Sequence, residues 1–181
     1  MPCAPITTNR LKMVPITVDI VEAVLHGRRS ETEALIGAKM PMTWPGRALV
    51  ERAFLARIDE IRANPDHRLW GDRVAVTRDS EPRVIGSVIF HGGPDDRGTV
   101  EVAYGIEEES QRQGFGHEAV HAAVSWAFAE PRVQIVRAST FTWHIASRRI
   151  LEKIGFRVVD TCCDILGEML EYEVQRHEFV S

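Results

Sequence analysis

The segment QRQGFG at residues 111–116 lies between a strand-like run and a helix-like run, where side chains and main chain can be aimed at a ligand. A helix start leaves its first amide N–H groups without partners and carries the positive end of the backbone dipole. Glycines there let an anion approach the main chain closely. Gln111, Arg112, Gln113, Gly114, Phe115, Gly116 and His117 therefore read as a cradle for a pyrophosphate. Arg112 is the charge best placed to meet a phosphate. Arg149 and Lys153 on a later helix are further cations, although charges on a helix face are usually just solvated. The run IEEES at 106–110 puts three acidic residues before the turn, and these are expected to face solvent.

A second pattern competes for the same residues. HEAVH at 117–121 matches His-Glu-x-x-His, which on a helix sets two imidazoles one turn apart for zinc with Glu118 as base. The extended form of that motif continues with Gly and a third His. This chain has Val124 and Ala127 there. No metal is expected.

The elements that must position these groups follow from periodicity. Val100, Val102, Tyr104 and Ile106 alternate as one face of a strand. Phe115, Ala119, Ala122, Ala123, Trp126 and Ala127 recur at helical spacing. Strands are also expected over 8–16, 73–78, 84–91, 133–140, 156–160 and 169–179, the last two as antiparallel neighbours. Helices are expected over 19–26, 30–38, 46–63 and 144–154, the first opened by Thr17 and Asp19 and the last stopped by Gly155. Two prolines around Trp44 interrupt the region between them.

The chain has 181 residues, 44% of them hydrophobic, which suits one globular domain spanning 1–181. With a formal charge of −4 and no basic arm or stripe, nucleic acid is not an expected partner. No apolar run reaches transmembrane length and the first residues lack an apolar signal core, so no membrane partner is expected. Cys3, Cys162 and Cys163 have neither metal-ligand nor ordinary disulfide spacing. A reduced protein of the cytoplasm is the simplest reading.

The order EVAYGI, QRQGFGHEAV, WAF, VRASTF, HIASRRILEKIGF resembles the GNAT acetyltransferase superfamily, within it the ribosomal-protein N-terminal acetyltransferases. TNRLKMVPITVDI at 8–20 is similar to that branch's opening strand and helix. The resemblance implies an α+β GNAT fold: a mixed, mostly antiparallel sheet of about seven strands, helices on both faces, and strands four and five splayed apart at a bulge. Acyl-CoA lies in that gap in the family. Its pantetheine arm would pair with the exposed edge at Tyr104, Gly105 and Ile106, as an added strand would. Its diphosphate would fall on the amides of 111–116, with Gly114 and Gly116 where a side chain would obstruct it.

The resemblance also distributes roles. Glu101 stands where many members of this branch place a carboxylate. It alternates away from Val100 and Val102, so it can act on the acceptor through water or anchor a cationic amine. A backbone N–H near Tyr104 or Gly105 would hold the oxyanion, a donor typically worth about 3 kcal/mol of barrier. Ser147 keeps the hydroxyl of the ribosomal-protein branch and could hydrogen-bond the CoA sulfur or give the thiolate a proton. The chain departs from the family at two places: His144 replaces the usual Asn, and Leu151 stands where many relatives carry a tyrosine acid. His144 could contact pantetheine, titrate near neutral pH, or only cap a helix. Trp44 and Trp70 fall in or near the region that lines acceptor pockets in the family.

The function these residues imply is acyl-CoA-dependent N-acyl transfer, with acetyl-CoA to a primary amine first. The amine is a protein or peptide N-terminus or a small amine. Transfer is direct, without a covalent enzyme intermediate. The alternatives are another acyl group, such as succinyl, and a non-catalytic acyl-CoA-binding or sensory protein. Dimers are common among relatives, so a homodimer is a further expectation.

Overall fold

The computed structural model describes residues 4–46 and 50–179. Its strands are β1 (Ile6–Thr7), β2 (Leu11–Pro15), β3 (Arg73–Thr77), β4 (Val84–Phe90), β5 (Thr99–Ile106), β6 (Ile135–Phe141), β7 (Arg157–Asp164) and β8 (Gly167–Gln175). Its α-helices are α1 (Val18–Leu25), α2 (Arg29–Ile36), α3 (Ile58–Ala63), α4 (Pro65–Arg68), α5 (Phe115–Ala129) and α6 (Ile145–Ile154). Local chemistry starts and stops them as expected. The Thr17 hydroxyl accepts from the Ile20 amide at the start of α1. Gly155, at φ 105°, ends α6 in the left-handed conformation that glycine adopts without strain.

The eight strands run in the order β1-β2-β3-β4-β5-β6-β8-β7. Every strand pairing among the described residues is antiparallel except β5 with β6. The expected count of seven is one short because the run expected over 8–16 is preceded by the two-residue β1, which folds back on β2. The splayed pair is consequently β5 and β6. The hairpin of β7 and β8 also differs from expectation: β7 runs on to Asp164 and β8 stops at Gln175.

The helix expected over 46–63 is not continuous. Residues 47–49 fall outside the described residues. A π turn at Val50–Phe54 and a 3-10 turn at Leu55–Arg57 then lead into α3. The Trp44–Pro45 peptide bond before them is cis.

Both faces of the sheet are covered. On one, Val100, Val102, Val136 and Tyr172 pack with Ala119, Val120, Ala123 and Leu151 of α5 and α6. On the other, Val74, Val76, Val84 and Ile89 pack with Ile20, Val21, Ile36 and Ile61. Each such aliphatic side chain contributes about 1.5–3 kcal/mol when fully buried. Leu151 is 0% exposed, so it sits in the core and has no access to solvent chemistry. Trp70, half-buried, meets Phe90 edge-on and Trp126 at a tilt against the core, and does not line the cavity beside Glu101.

Candidate active site

β5 and β6 are in register only over Thr99–Glu101 against Ile135–Arg137. Beyond Glu101 the two strands part, because β5 stays on β4 through Ile106 while β6 follows β8 through Phe141. The His91 amide donates to the Glu101 carbonyl and the Glu107 amide to the Ile85 carbonyl. Odd-numbered residues of β5 thus turn their main-chain groups to β4; of the even-numbered ones, Val102 gives its N–H to the Arg137 carbonyl, as the Glu101–Arg137 register requires, and its carbonyl with the main-chain groups of Tyr104 and Ile106 turns into the gap. This selects between the two oxyanion donors expected. The Tyr104 N–H faces the gap, whereas Gly105, opposite Ser87, faces β4. The register break in this part of the sheet lies one strand away, at Ile85, where Gly86 passes so close that an added Cβ would meet the Gly105 carbonyl at 2.1 Å. A Cβ on Gly105 itself would meet nothing within 4 Å, so a ligand chain has room to pass there.

A cavity of about 830 Å³ opens at the gap. Its walls include Val102, Tyr104, Gly105 and Ile106 of β5, Ser139 of β6, Met169 of β8, Ile89 and His91 beside β4, and Trp44 and Arg57 from the irregular segment. Glu101 faces it, as its alternation requires. His91 Nδ1 lies 3.4 Å from Glu101 Oε2. The hydrogen bond from His91, with the nearby Arg137 charge, holds the Glu101 carboxyl below its usual range against the opposing effect of burial.

The Tyr104 hydroxyl lies 2.8 Å from Ser147 Oγ and donates to the Ser147 carbonyl at 3.1 Å. Burial pushes the phenol up to about 12, so it keeps its proton at neutral pH. Ser147 is 7% exposed and does not line the cavity; its hydroxyl meets Tyr104 instead. His144 does not line it either. It sits exposed at the N-cap position of α6 without a side-chain capping hydrogen bond, with Nδ1 3.4 Å from Thr140 Oγ1.

The glycine turn is tied down by its own side chains. Gln111 Nε2 donates to the Ile106 carbonyl at 2.9 Å and Gln113 Nε2 to the Glu109 carbonyl at 2.9 Å. The Ile106 carbonyl is therefore already engaged on one of its two lone pairs. Arg112 at φ 59° and Gly114 at φ 83° bend the chain into α5, whose first turn has no side-chain cap. Of the amides expected to cradle an anion, that of Gln111 already donates to the Glu108 carbonyl at 3.2 Å, while those at the uncapped start of α5 are left to a ligand or water. Gly116 also lies against α6: an added Cβ would strike Ile150 Cδ1 at 2.9 Å, so glycine lets α5 pack closely there. Of the three acidic residues before the turn, Glu108 and Glu109 are exposed, but Glu107 folds back to accept from the Glu109 amide and the Ser110 hydroxyl and reaches the cavity wall.

Glu118 anchors this turn to the rest of the sheet. It accepts from the Thr8 hydroxyl at 2.6 Å, the Arg10 amide at 2.8 Å and Arg10 Nε at 2.7 Å. Arg10 in turn donates to the Gln113 carbonyl at 2.9 Å and lies over the Phe115 ring. The Glu118 carboxylate is thus engaged with Thr8 and Arg10. A second cavity of about 440 Å³ adjoins, lined by Arg10, Gly114, His117, His121 and Lys153 among others. Burial and the Lys153 charge lower the His117 pKa.

Arg57, His91, Ser139 and Met169 were not legible as site residues. The placement of His91 follows from the antiparallel register that sets it across from Glu101; the other three carry no sequence signal.

The family model described as acetyltransferase (GNAT) domain matches residues 10–157. The chain is 24% identical over 149 residues to the uncharacterized N-acetyltransferase YjdG of Bacillus subtilis (strain 168), covering 82% of this chain and 87% of that protein. Among solved structures, the ribosomal-protein-S5-alanine acetyltransferase from Vibrio fischeri superposes with a TM-score of 0.65 at 15% identity, covering 99% of this chain and 100% of that one. The ribosomal L7/L12 alpha-N-protein acetyltransferase RimL, solved with coenzyme A, superposes with a TM-score of 0.65 at 12% identity, covering 95% and 98%. The split sheet, the uncapped glycine turn and the family match over most of its length together place this chain in the GNAT family of acetyltransferases, as an N-acetyltransferase.

Proposed function

We propose that the chain acts as a single domain over residues 1–181 and transfers an acetyl group from acetyl-CoA directly to a primary amine. The observation that carries this reading is the parting of β5 and β6, which leaves the Val102 carbonyl and the Tyr104 main-chain groups open beside a cavity that holds Glu101. The co-substrate supplies a thioester, an acyl carbon already activated toward nitrogen. Val102 and Tyr104 would pair with its amide-bearing arm. The amides around Gly114, with His117 and Lys153 beside them, would hold its phosphates.

Glu101 keeps its charge and attracts the acceptor's ammonium, which must shed a proton to water or to Glu101 before it attacks. Nitrogen then bonds to the acyl carbon, the carbon–sulfur bond breaks, and the thiolate takes a proton. The Tyr104 N–H would stabilise the oxyanion. The Tyr104 hydroxyl, positioned by Ser147, would be the source of the thiolate's proton. Orientation of the two substrates supplies much of the acceleration.

We assign the protein to the cytoplasm, where the exposed free thiols of Cys162 and Cys163 would stay reduced. No helix among the described residues is long and apolar enough to cross a membrane. We also propose a homodimer through β7. All eight residues of this edge strand are exposed, and Ile165 beyond it is 97% exposed. An antiparallel pairing of two β7 strands about a two-fold axis would set Arg157 of each against Asp164 of the other.

The deciding experiment pairs calorimetry of acetyl-CoA binding with a thiol-release assay over a panel of amines and acyl donors. Saturable binding with amine-dependent thiol release is the expected result. Binding without release on any amine would overturn transfer.

A further inference from the structure

The acyl-transfer reading leaves the acceptor's chemistry open, and the inference drawn next rests on that reading. Arg57 ends the 3-10 turn Leu55–Arg57 and lines the cavity with its side chain 24% exposed. Two carboxylates lie near it, and neither neutralises it well. Glu60 approaches Arg57 Nε only to 4.0 Å, and the same Glu60 oxygen is held at 2.9 Å by Arg68. Asp72 is 3% exposed, spends Oδ1 on the Phe90 amide at 2.6 Å, and is pushed by burial well above the usual carboxylate range, toward its neutral form. Arg57 therefore presents a guanidinium to the cavity with spare charge and spare donors.

Glu101 presents the opposite sign to the same space. Its own cationic neighbours are His91 at 3.4 Å and Arg137, whose Nε is engaged by Glu173 at 3.1 Å. Glu107, also on these walls, is turned to the Glu109 amide and the Ser110 hydroxyl; apolar Trp44, Ala53, Ile89 and Met169 line the cavity as well. A cavity of this kind sorts amines by what else they carry. A polyamine would bring its second ammonium toward Arg57, which repels it. An amine with a carboxylate would meet a planar fork of donors that matches it two bonds at a time.

We propose that the acceptor is an amine that also bears a carboxylate, with Arg57 receiving the carboxylate and Glu101 facing the amine. The same chemistry is carried by a free amino acid and by the N-terminal residues of an acidic peptide. The volume of about 830 Å³ is in the range that houses a small molecule together with part of its co-substrate.

The test is thiol release by the full chain with acetyl-CoA and matched acceptors. One arm compares amino acids with their carboxamides. The other compares short peptides whose second or third residue is Glu or Gln. Expected is a kcat/KM about tenfold higher for the carboxylate member of a pair, the size of one charge-assisted contact. The arm that shows it names the source. Arg57→Gln should collapse that ratio to about one, chiefly through KM, and Arg57→Lys should keep part of it because charge remains without the fork. Circular dichroism of both variants checks that they fold. A preference for carboxamides or polyamines, or a ratio unchanged in a folded Arg57→Gln protein, overturns the inference and leaves acyl transfer standing. No thiol release with any amine, despite acetyl-CoA binding, overturns the acyl-transfer reading and this inference with it.

Discussion

Replacing Glu101 by glutamine removes one negative charge from the cavity and keeps the side chain's shape, so it separates two roles a carboxylate could play there. The side chain is 48% exposed and lies 3.4 Å from His91. An ammonium about 4 Å away would gain roughly 4 kcal/mol at an effective dielectric of 20 and roughly 1 kcal/mol in bulk water. Half-exposed and already shared with His91 and Arg137, Glu101 belongs near the lower figure, or about fivefold in KM. A proton-accepting role would instead cost about 10²–10⁴ in kcat. The pKa direction favours the anchor. His91 holds the carboxyl below its ordinary range, which makes it a poorer base. The sign follows: a depressed carboxyl stays ionised until pH falls through its folded value, below the ordinary 4.3 or so. Glu101 therefore adds no limb to the pH–rate profile near neutrality. Thiol-release kinetics of Glu101→Gln should show KM up about fivefold, kcat within a few fold, and an unchanged profile shape. A kcat loss beyond about 100-fold at constant KM would refute the anchor and make Glu101 the base. Unchanged kcat and KM would remove Glu101 from the site.

Three further outcomes follow from particular contacts. Gly116→Ala drives a Cβ into Ile150 Cδ1, a side-chain end that can give, so it should lower stability by about 1 kcal/mol and be relieved by Ile150→Val, with CoA affinity within about twofold; a tenfold affinity loss without a change in melting would assign this glycine to the anion cradle instead. Asp72, its carboxyl raised by burial, contributes stability that is full below the unfolded value near 3.9 and is lost as pH rises through the folded one. In urea melts the stability of the parent chain relative to Asp72→Asn should therefore be greater at low pH than at high pH, and a pH-independent difference between the two proteins would contradict the assignment. Asp164→Arg sets like charges face to face across a β7–β7 pair and should give monomers by light scattering, with the dimer restored when Arg157→Asp is added; monomers in the parent chain would dismiss that interface.

Much of the site was legible because its elements are local. The strand at 99–106, the turn at 111–116 and the helix after it each carry their own periodicity and glycine signals, and Glu101 alternates to the cavity side as its neighbours dictate. The turn's ties, Gln111 to Ile106 and Gln113 to Glu109, span only five and four residues.

What the sequence determined by itself was the order of strands and helices, the unsatisfied start of α5 and the family. These are set by hydrophobic period and by backbone rules that act over a few residues. The tertiary structure alone decided which main-chain donor faces the gap, what a side chain at Gly116 would strike, and that Ser147 reaches Tyr104 across 43 residues. It alone brought Arg57, 44 positions before Glu101, to the same cavity. Charge and hydrogen bonding between distant segments depend on register and packing, and no local pattern in the chain encodes the distance between them.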